Sequence, residues 1–410
     1  MRVYSEAAME RAMKVQEVIL RAFAKQISWI QAAEILGRSP RQVRRMKSNY
    51  EKHGFHALFD GRIGKASPRR VPIAVVQEVF RLYREEYFDF NVTHFHEKLV
   101  EKHSISVSYT WTKCLLQAAG FVAKESSRNQ HRKRRERRPL SGMLLHIDGS
   151  AHQWFGDERW FDLIVILDDA TSQIYYAQLV EAESTRSVML GIRQVIETKG
   201  TFCALYSDRA SHFFLTPKAG EPVDKQTLTQ VGRALRELGI QLIPAYSPQA
   251  RGRSERSFRT WQGRLPQELR IRSIDNPDEA NRFLNEEYIT EFNSRFTVES
   301  ELEGTAFVPC TGADLDRIFS IQSERLVNRD NTVKFQNLLL QINKQSWRGT
   351  LSGCRVTVYR HLDDSISIGF GAHTVGRYSS DGTPLEPILI KDKTSFEKSY
   401  PKTQTGHLMC

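Results

Sequence analysis

Three carboxylates carry the chemistry that this sequence suggests. Asp148 ends the apolar run 144–147, Asp208 ends the run 201–206, and Glu255 lies in a helical stretch after a further short run. A carboxylate at the end of a buried strand must be solvated, paired or bound to a metal, because an isolated buried charge is costly. Three carboxylates at one site also repel one another. Their convergence therefore predicts bound hard divalent cations, Mg²⁺ or Mn²⁺.

Two such ions about 4 Å apart activate the attacking oxygen and stabilise the leaving oxygen of an in-line phosphoryl transfer. We expect Asp148 to bridge both ions, and we expect Asp208 and Glu255 to hold one each. Three arginines flank Glu255 and are candidates to clamp a DNA backbone beside it: Arg251, Arg253 and Arg256. The predicted chemistry is metal-dependent phosphoryl transfer on nucleic acid.

Each of these carboxylates alone also has a common structural explanation. An aspartate at a strand end is usually a turn or capping residue, and a glutamate in a helix usually faces solvent. Asp168 and Asp169 are rival carboxylates, but they end a strand that should run antiparallel to the one before Asp148. They are therefore expected at the opposite edge of the sheet. A phosphate contact and a structural role are equally open for His212.

The elements that must position these residues begin near residue 143, where the pattern becomes α/β. The run 161–167 is almost continuously apolar, as a strand covered on both faces should be. The segment 149–159 has the polarity of a hairpin connection. Three strands in succession, followed by α-β-α-β-α, give the ribonuclease H-like order. A doubly wound fold is excluded because no helix separates the first three strands.

Positive charge is concentrated in the first third of the chain. Residues 1–140 hold 28 Lys and Arg against 14 Asp and Glu, whereas the 410-residue chain has a net charge of +11. This asymmetry favours a polyanion-binding module joined to a near-neutral catalytic module. No apolar run is long enough for a membrane span, and no signal peptide is evident. The five scattered cysteines suit a reducing, cytoplasmic compartment, with nucleoid association expected.

A helix-turn-helix is predicted within residues 1–60. Ser28 should cap one helix, Gly37 should end it, and Ser39 should cap a second, basic helix that begins at Pro40. The start of such a second helix enters the major groove, and this one carries the DNA-binding candidates Arg41, Gln42, Arg44 and Arg45. A plain αα-hairpin with a charged face is the alternative.

Other segments complete the predicted domain plan. Residues 73–124 form a second helical unit, helix-turn-helix-like with a weaker basic face, and residues 141–300 form the catalytic core. Residues 325–390 suggest a small all-β barrel, and 391–410 a polar tail. The linker 125–140 is too densely charged to pack, and its phosphate-contact candidates are Arg132, Lys133, Arg134 and Arg135.

Three blocks of the sequence resemble the catalytic blocks of DDE transposases. They are His-Ile-Asp-Gly-Ser at 146–150, Ser-Asp-Arg-Ala-Ser-His-Phe at 207–213, and Tyr-Ser-Pro-Gln-Ala-Arg-Gly-Arg-Ser-Glu-Arg at 246–256. The match is closest to ISNCY-type insertion-sequence transposases, and the C-terminal β module is similar to that of Mu-like transposases. The interval from Asp208 to Glu255 is longer than in retroviral integrases, which we attribute to the Pro/Gly loop 216–223.

The resemblance implies Mg²⁺-dependent nicking at element ends to leave a 3′-hydroxyl that attacks target DNA. The implied partners are double-stranded DNA, as terminal repeats and target, and further copies of the chain in a dimer or larger assembly. Two alternatives remain open at this point. One is a non-catalytic DNA-binding regulator, such as a repressor or a domesticated remnant, and the other is a nuclease acting on RNA–DNA hybrids.

Overall fold

The computed structural model describes residues 5–59, 70–124, 136–215, 224, 227–246 and 248–385, apart from the side chains of 248–251. The chain divides into two compact units, residues 1–82 and 83–410, and the division falls inside the fourth helix. No helix in the described ranges is both long and apolar enough to cross a membrane.

Helices occupy most of the N-terminal part and cover the central sheet. The α-helices are α1 Glu6–Phe23, α2 Trp29–Ile35, α3 Pro40–His53, α4 Ile73–Glu85, α5 Val92–Glu101, α6 Tyr109–Ala118, α7 Thr185–Lys199, α8 Gln230–Glu237, α9 Pro248–Gln262, α10 Leu265–Ile271, α11 Pro277–Phe283, α12 Ile289–Phe296 and α13 Leu315–Ile318. A 3₁₀ turn spans Gly54–Leu58, and a π-helical turn, Leu284–Tyr288, joins α11 to α12.

The strands fall into a central group and a C-terminal group. They are β1 Leu145–His152, β2 Phe161–Asp168, β3 Ile174–Val180, β4 Ala204–Ser207, β5 Gln241–Pro244, β6 Ile321–Leu326, β7 Thr332–Phe335, β8 Leu338–Gln341, β9 Arg355–Arg360, β10 Ile366–Phe370 and β11 His373–Tyr378.

The first unit contains the predicted pair of capped helices. The Ser28 hydroxyl accepts from the Gln31 amide, and the Ser39 hydroxyl accepts from the Gln42 amide, so α2 and α3 both begin with capping boxes. Gly37 between them has a φ of +59°, a conformation that favours glycine. α3 continues to His53, because no helix breaker occurs before Gly54.

The second unit is built on a five-stranded sheet of order β3-β2-β1-β4-β5. β1, β2 and β3 pair antiparallel, while β4 pairs parallel with both β1 and β5. The predicted α/β order is therefore confirmed. α7 and α8 pack against one face of the sheet, and helices α9 to α12 pack against the other.

β1 is longer than the sequence indicated. It does not end at Asp148 but continues to His152, because Gly149 to His152 stay paired with β2. The predicted hairpin connection therefore shortens to the residues after His152. α10 was not predicted from the sequence, and α8 begins at Gln230, where Thr229 caps it.

The linker prediction was wrong for Arg137. Its guanidinium donates to the carbonyls of Asp169 (3.1 Å) and Ala170 (2.9 Å) and to the Ser172 hydroxyl (2.9 Å). Asp169 and Ala170 are buried and Ser172 is partly buried at the turn after β2, so the end of the basic run packs against the core. Residues 125–135, which include the four predicted phosphate contacts, lie outside the described residues.

α5 is joined to the core helices by ionic contacts centred on Glu268 of α10, which is 1% exposed. The Glu268 carboxylate contacts His94 Nε2 at 2.6 Å and Lys98 Nζ at 2.5 Å, and it also pairs with Arg272. Nearby, Glu97 binds Arg264 at 2.6 Å. The helical segment after residue 83 is therefore fixed to the helices that cover the central sheet.

The protonation states in this network follow from burial and pairing. Burial alone would raise the pKa of Glu268, but hydrogen bonds from His94 and Lys98 and the charge of Lys98 outweigh it and hold this pKa well below its usual value. Burial lowers the pKa of His94, and a neutral ring suits it because Nδ1 is buried without a hydrogen-bond partner among the described residues. The contribution of Glu268 to the free energy of unfolding is therefore complete above about pH 4.5. It is lost as the pH falls through the pKa that Glu268 has in the folded protein.

The C-terminal region is all-β, as predicted, but it forms no closed barrel in the residues that the structure describes. Its strands form a four-stranded sheet of order β11-β10-β9-β6 and a separate pair, β7-β8. Both sheets share one apolar core that includes Val333, Leu340, Val358 and Ile368. A barrel would need the β7-β8 pair to join the edges of the larger sheet, and these two strands pair only with each other.

Replacing Glu268 with alanine is expected to lower the free energy of unfolding by about 3–5 kcal/mol, because Lys98 would keep a buried charge without its partner. Denaturant unfolding at pH 7 measures this loss. Glu287→Ala is the matched control, since Glu287 is 66% exposed and 3.9 Å from Arg272, and it should cost less than about 1 kcal/mol. Equal losses for the two variants would contradict the assigned role of Glu268.

Candidate functional site

Asp148 and Asp208 lie at the same level of two neighbouring parallel strands. Leu145 pairs with Leu205 and His146 with Tyr206, so the same register, continued by two residues, brings Asp148 beside Asp208. Neighbouring strands lie about 4.8 Å apart. The parallel pairing thus brings together two aspartates that are distant in sequence.

Both aspartates are on the face of the sheet that α9 covers. Asp148 is directly opposite Val165, and opposite residues of an antiparallel pair share a face. Val165 packs with the α9 residues Phe258 and Trp261. Leu205 packs on the other face, so the alternation of side chains, carried past the end of β4, directs Asp208 to the α9 side.

The two aspartates differ in exposure. Asp148 is 7% exposed within β1, while Asp208 is half-buried just after β4. The Asp208 Oδ1 atom accepts a hydrogen bond from the Ala210 amide at 3.0 Å. This bond tightens the turn 208–210 and fixes one carboxylate oxygen.

Glu255 is held beside this site by the packing of α9. Ser254, Phe258 and Trp261 are the buried positions of the helix, and the Gln262 amide donates to the Ser150 hydroxyl at 2.9 Å. Two helical turns, about 10 Å, separate Glu255 from Gln262. Glu255 is therefore level with the middle of β1, and its side chain is exposed.

The carboxylates are not gathered into a finished metal site. Within the described part of the chain, no three His, Cys, Asp or Glu side chains lie close enough together to hold one ion. The donor set still fits a hard cation, because Asp148 and Asp208 offer oxygen ligands from adjacent strands on one face. Glu255 has the right chemistry and the right level along β1, but it is not assembled with them.

Asp168 and Asp169 lie at the opposite edge, as predicted, since Asp168 pairs with the first residue of β1. The Asp168 carboxylate accepts from the Gly142 amide and from the Thr171 amide and hydroxyl. Asp169 accepts from the Arg138 amide at 2.8 Å and from His146 Nε2 at 2.7 Å. Both fully buried carboxylates are therefore structural.

Arg253 also belongs to this structural edge. Its guanidinium forms an ion pair with Asp169, and its side chain is 17% exposed. The pair anchors the start of α9 to the beginning of β1, so Arg253 is not retained as a DNA-clamp candidate. Arg256 is exposed on α9, and the side chain of Arg251 is outside the description.

The four candidates on α3 are all exposed, around the buried Val43. Gln42 has an additional local role, because its side-chain oxygen accepts from the Ser39 amide at 3.2 Å. The Ser-x-x-Gln pattern at residues 39–42 is the sequence signature of this capping box. Arg41, Arg44 and Arg45 keep their side chains at the surface.

The structure adds two residues beside the aspartates. Glu183, which precedes α7, accepts from His212 Nε2 at 2.9 Å. The Glu183 carboxylate also occupies the space where a side chain on Gly149 would begin. Glu183 was not predicted from the sequence as a site residue. A glycine inside a strand, such as Gly149, often marks a place where another group lies close to the backbone.

Comparison with known proteins gives a consistent assignment. A family model described as a helix-turn-helix domain matches residues 16–66. A Sinorhizobium fredii protein assigned as a transposase, y4bF, is 30% identical, and the match covers 94% of this chain and 85% of the relative. The transposase for insertion sequence IS1202 of Streptococcus pneumoniae is 26% identical over 74% of this chain and 72% of its own length.

Among solved structures, the HTLV-2 integrase catalytic core domain in complex with magnesium overlaps with 36% of this chain and 89% of its own, at 15% identity and a TM-score of 0.28. A simian T-cell lymphotropic virus intasome overlaps with 68% of this chain and 91% of its own, at 10% identity and a TM-score of 0.31.

Asp169→Asn is expected to lower the free energy of unfolding by about 3 kcal/mol, because it removes the charge that Arg253 and His146 contact in a buried site. Asp208→Asn should change it by less than about 1 kcal/mol, since an amide oxygen still accepts from Ala210. Urea unfolding of both variants tests the division between structural and functional aspartates. A larger loss for Asp208→Asn would reverse the assignment.

Proposed function

This chain belongs to the transposase family, and from that premise we propose that it cleaves the 3′ ends of an insertion sequence and joins them to target DNA by a DDE mechanism. The observation that carries the proposal is the shared level and shared face of Asp148 and Asp208 on parallel strands. Two neighbouring carboxylates repel each other, and a bound divalent cation would offset that repulsion.

In this proposal Asp148, Asp208 and Glu255 would hold the Mg²⁺ or Mn²⁺ ions. When bound, such ions supply the charge that activates the attacking oxygen and stabilises the leaving one. The burial of Asp148 limits its access to competing water, and the Ala210 amide orients the Asp208 carboxylate.

Glu255 completes the site through α9. Phe258 and Trp261 fix the C-terminal half of this helix on the sheet. We propose that a local adjustment of the N-terminal half brings Glu255 to the aspartates. DNA seated against the helix is the proposed cause of that adjustment. Arg256, exposed one residue farther on, is proposed to contact the phosphate backbone there.

The partners follow from the reaction. α2 and α3 are proposed to bind double-stranded DNA at the terminal repeats, with α3 in the major groove. In the linker, Arg132, Lys133, Arg134 and Arg135 are proposed to contact phosphates. Joining two element ends to one target requires two active sites held together, so we propose a dimer or larger assembly on DNA.

Asp148→Asn is expected to abolish cleavage and strand transfer while leaving DNA binding intact, because it removes the shared anionic ligand without altering the DNA-binding helices. Purified protein with element-end DNA and Mg²⁺ or Mn²⁺ provides the assay, with cleavage read on gels and binding by footprinting. An Asn variant that still joins strands would overturn the mechanism. A wild-type footprint without cleavage under either ion would favour the non-catalytic regulator.

Arg41→Ala and Arg45→Ala are each expected to weaken binding to element-end DNA by about 5- to 100-fold, as loss of one base or phosphate contact does. Fluorescence anisotropy across a salt series measures the affinity and its slope. Arg21→Ala, an equal loss of charge on α1, is the matched control and should have a smaller effect. Equal effects from all three would indicate that net charge, and not the α3 surface, determines binding.

A further inference from the structure

We propose that Glu183 and His212 form a positioning pair that holds the Asp208 turn against β1, and so sets the separation of the two aspartates. This inference rests on the proposed function, since it concerns the same site. Neither residue is placed among the groups that touch DNA or metal. Their role is exerted through Asp208 and Asp148.

The first contact of the pair is with β1. A Cβ atom built on Gly149 would clash with the Glu183 carboxylate and lie 3.1 Å from its Cδ atom. Gly149 directly follows Asp148, so the carboxylate packs on the backbone of the strand that carries the first aspartate. A larger residue at position 149 would exclude it from this place.

The second contact is with the segment that carries Asp208. The Glu183 carboxylate accepts from His212 Nε2 at 2.9 Å, and the two side chains are 20% and 12% exposed. His212 lies in a short segment closed by bonds from the Phe213 and Phe214 amides to the Ala210 carbonyl. The Ala210 amide in turn donates to the Asp208 carboxylate. The position of His212 therefore constrains the Asp208 carboxylate, which lies four residues earlier in the chain.

Glu183 is itself held in place. Its backbone amide donates to Asp162 Oδ2 at 2.7 Å, and the next residue, Ser184, caps α7. A carboxylate fixed at its backbone can act as a brace between β1 and the turn after β4. This brace matters because the direct β1–β4 pairing stops at His146 and Tyr206, two residues short of the aspartates.

The brace lies on the face of the sheet away from α9. Gly149 alternates with Asp148 along β1, so the Glu183 carboxylate is on the opposite face from the Asp148 side chain. It therefore leaves the aspartates accessible to cations and DNA. Some residues orient metal ligands without touching the metal, and their removal typically lowers metal affinity or activity 10- to 100-fold.

Glu183→Gln should weaken Mn²⁺ binding by about 10-fold, since a neutral amide holds His212 less firmly. Electron paramagnetic resonance of the full chain titrated with Mn²⁺ alone measures this affinity without any reaction. Hydrogen exchange of the amides at 208–214 should rise in the same variant. The exposed neighbour Glu181 gives a control of equal charge, Glu181→Gln, which should match wild type in both measurements.

Gly149→Ala provides an independent test. The clash falls on the far end of a flexible side chain, so the variant should fold while its Cβ displaces the Glu183 carboxylate. It should therefore reproduce the Mn²⁺ and exchange defects of Glu183→Gln. The double variant should bind Mn²⁺ about as weakly as either single variant, because both substitutions disrupt the same contact.

The outcomes separate this inference from the proposed function. If wild type binds Mn²⁺ and cuts element-end DNA, and Glu183→Gln and Gly149→Ala equal it in affinity and exchange, the positioning pair is overturned and the transposase proposal stands. If wild type neither binds Mn²⁺ nor cuts DNA, the proposed function fails and the inference fails with it.

Discussion

The parallel pairing of β1 with β4 is the constraint on which the candidate site depends. Only two residue pairs form it, Leu145 with Leu205 and His146 with Tyr206, yet they set the level of both aspartates. A slip of one residue would turn one aspartate to the other face, since side chains alternate along a strand. The apolar residues on both faces of β1 and β4 are therefore what fixes the geometry of the acidic ones.

Carboxylates in this chain fall into classes that their partners define. Asp168, Asp169 and Glu268 are fully or almost fully buried, and each has several donors, so each is stabilised as an anion within the fold. Asp148, Asp208 and Glu255 line one side of the sheet at increasing exposure. The first class of carboxylates thus stabilises the fold, and the second is proposed to take part in the reaction.

Ion pairs, in addition to apolar packing, attach the helical segment around α5 to the helices that cover the central sheet. Glu97 of α5 pairs with Arg264 and Arg295, and Glu268 of α10 pairs with His94 and Lys98 of α5. Trp261 and Phe292 stack on each other and pack with the sheet. Helices that contact DNA from such a segment would have a defined position relative to the aspartates. The Glu183–His212 brace has a comparable role at shorter range, between two strands instead of two layers.

Local patterns determined much of the fold. The caps at Ser28 and Ser39, the apolar runs of the strands and the glycine that ends α2 are determined by neighbouring residues. They were sufficient to predict the helix-turn-helix and the order of strands and helices along the chain. Tertiary structure alone decided that β1 continues past Asp148, that Arg253 pairs with Asp169, and that Glu183 meets Gly149 and His212. The reason is physical: caps and periodicity act within a few residues, whereas strand pairing and buried charge pairs depend on partners that only the folded chain brings together.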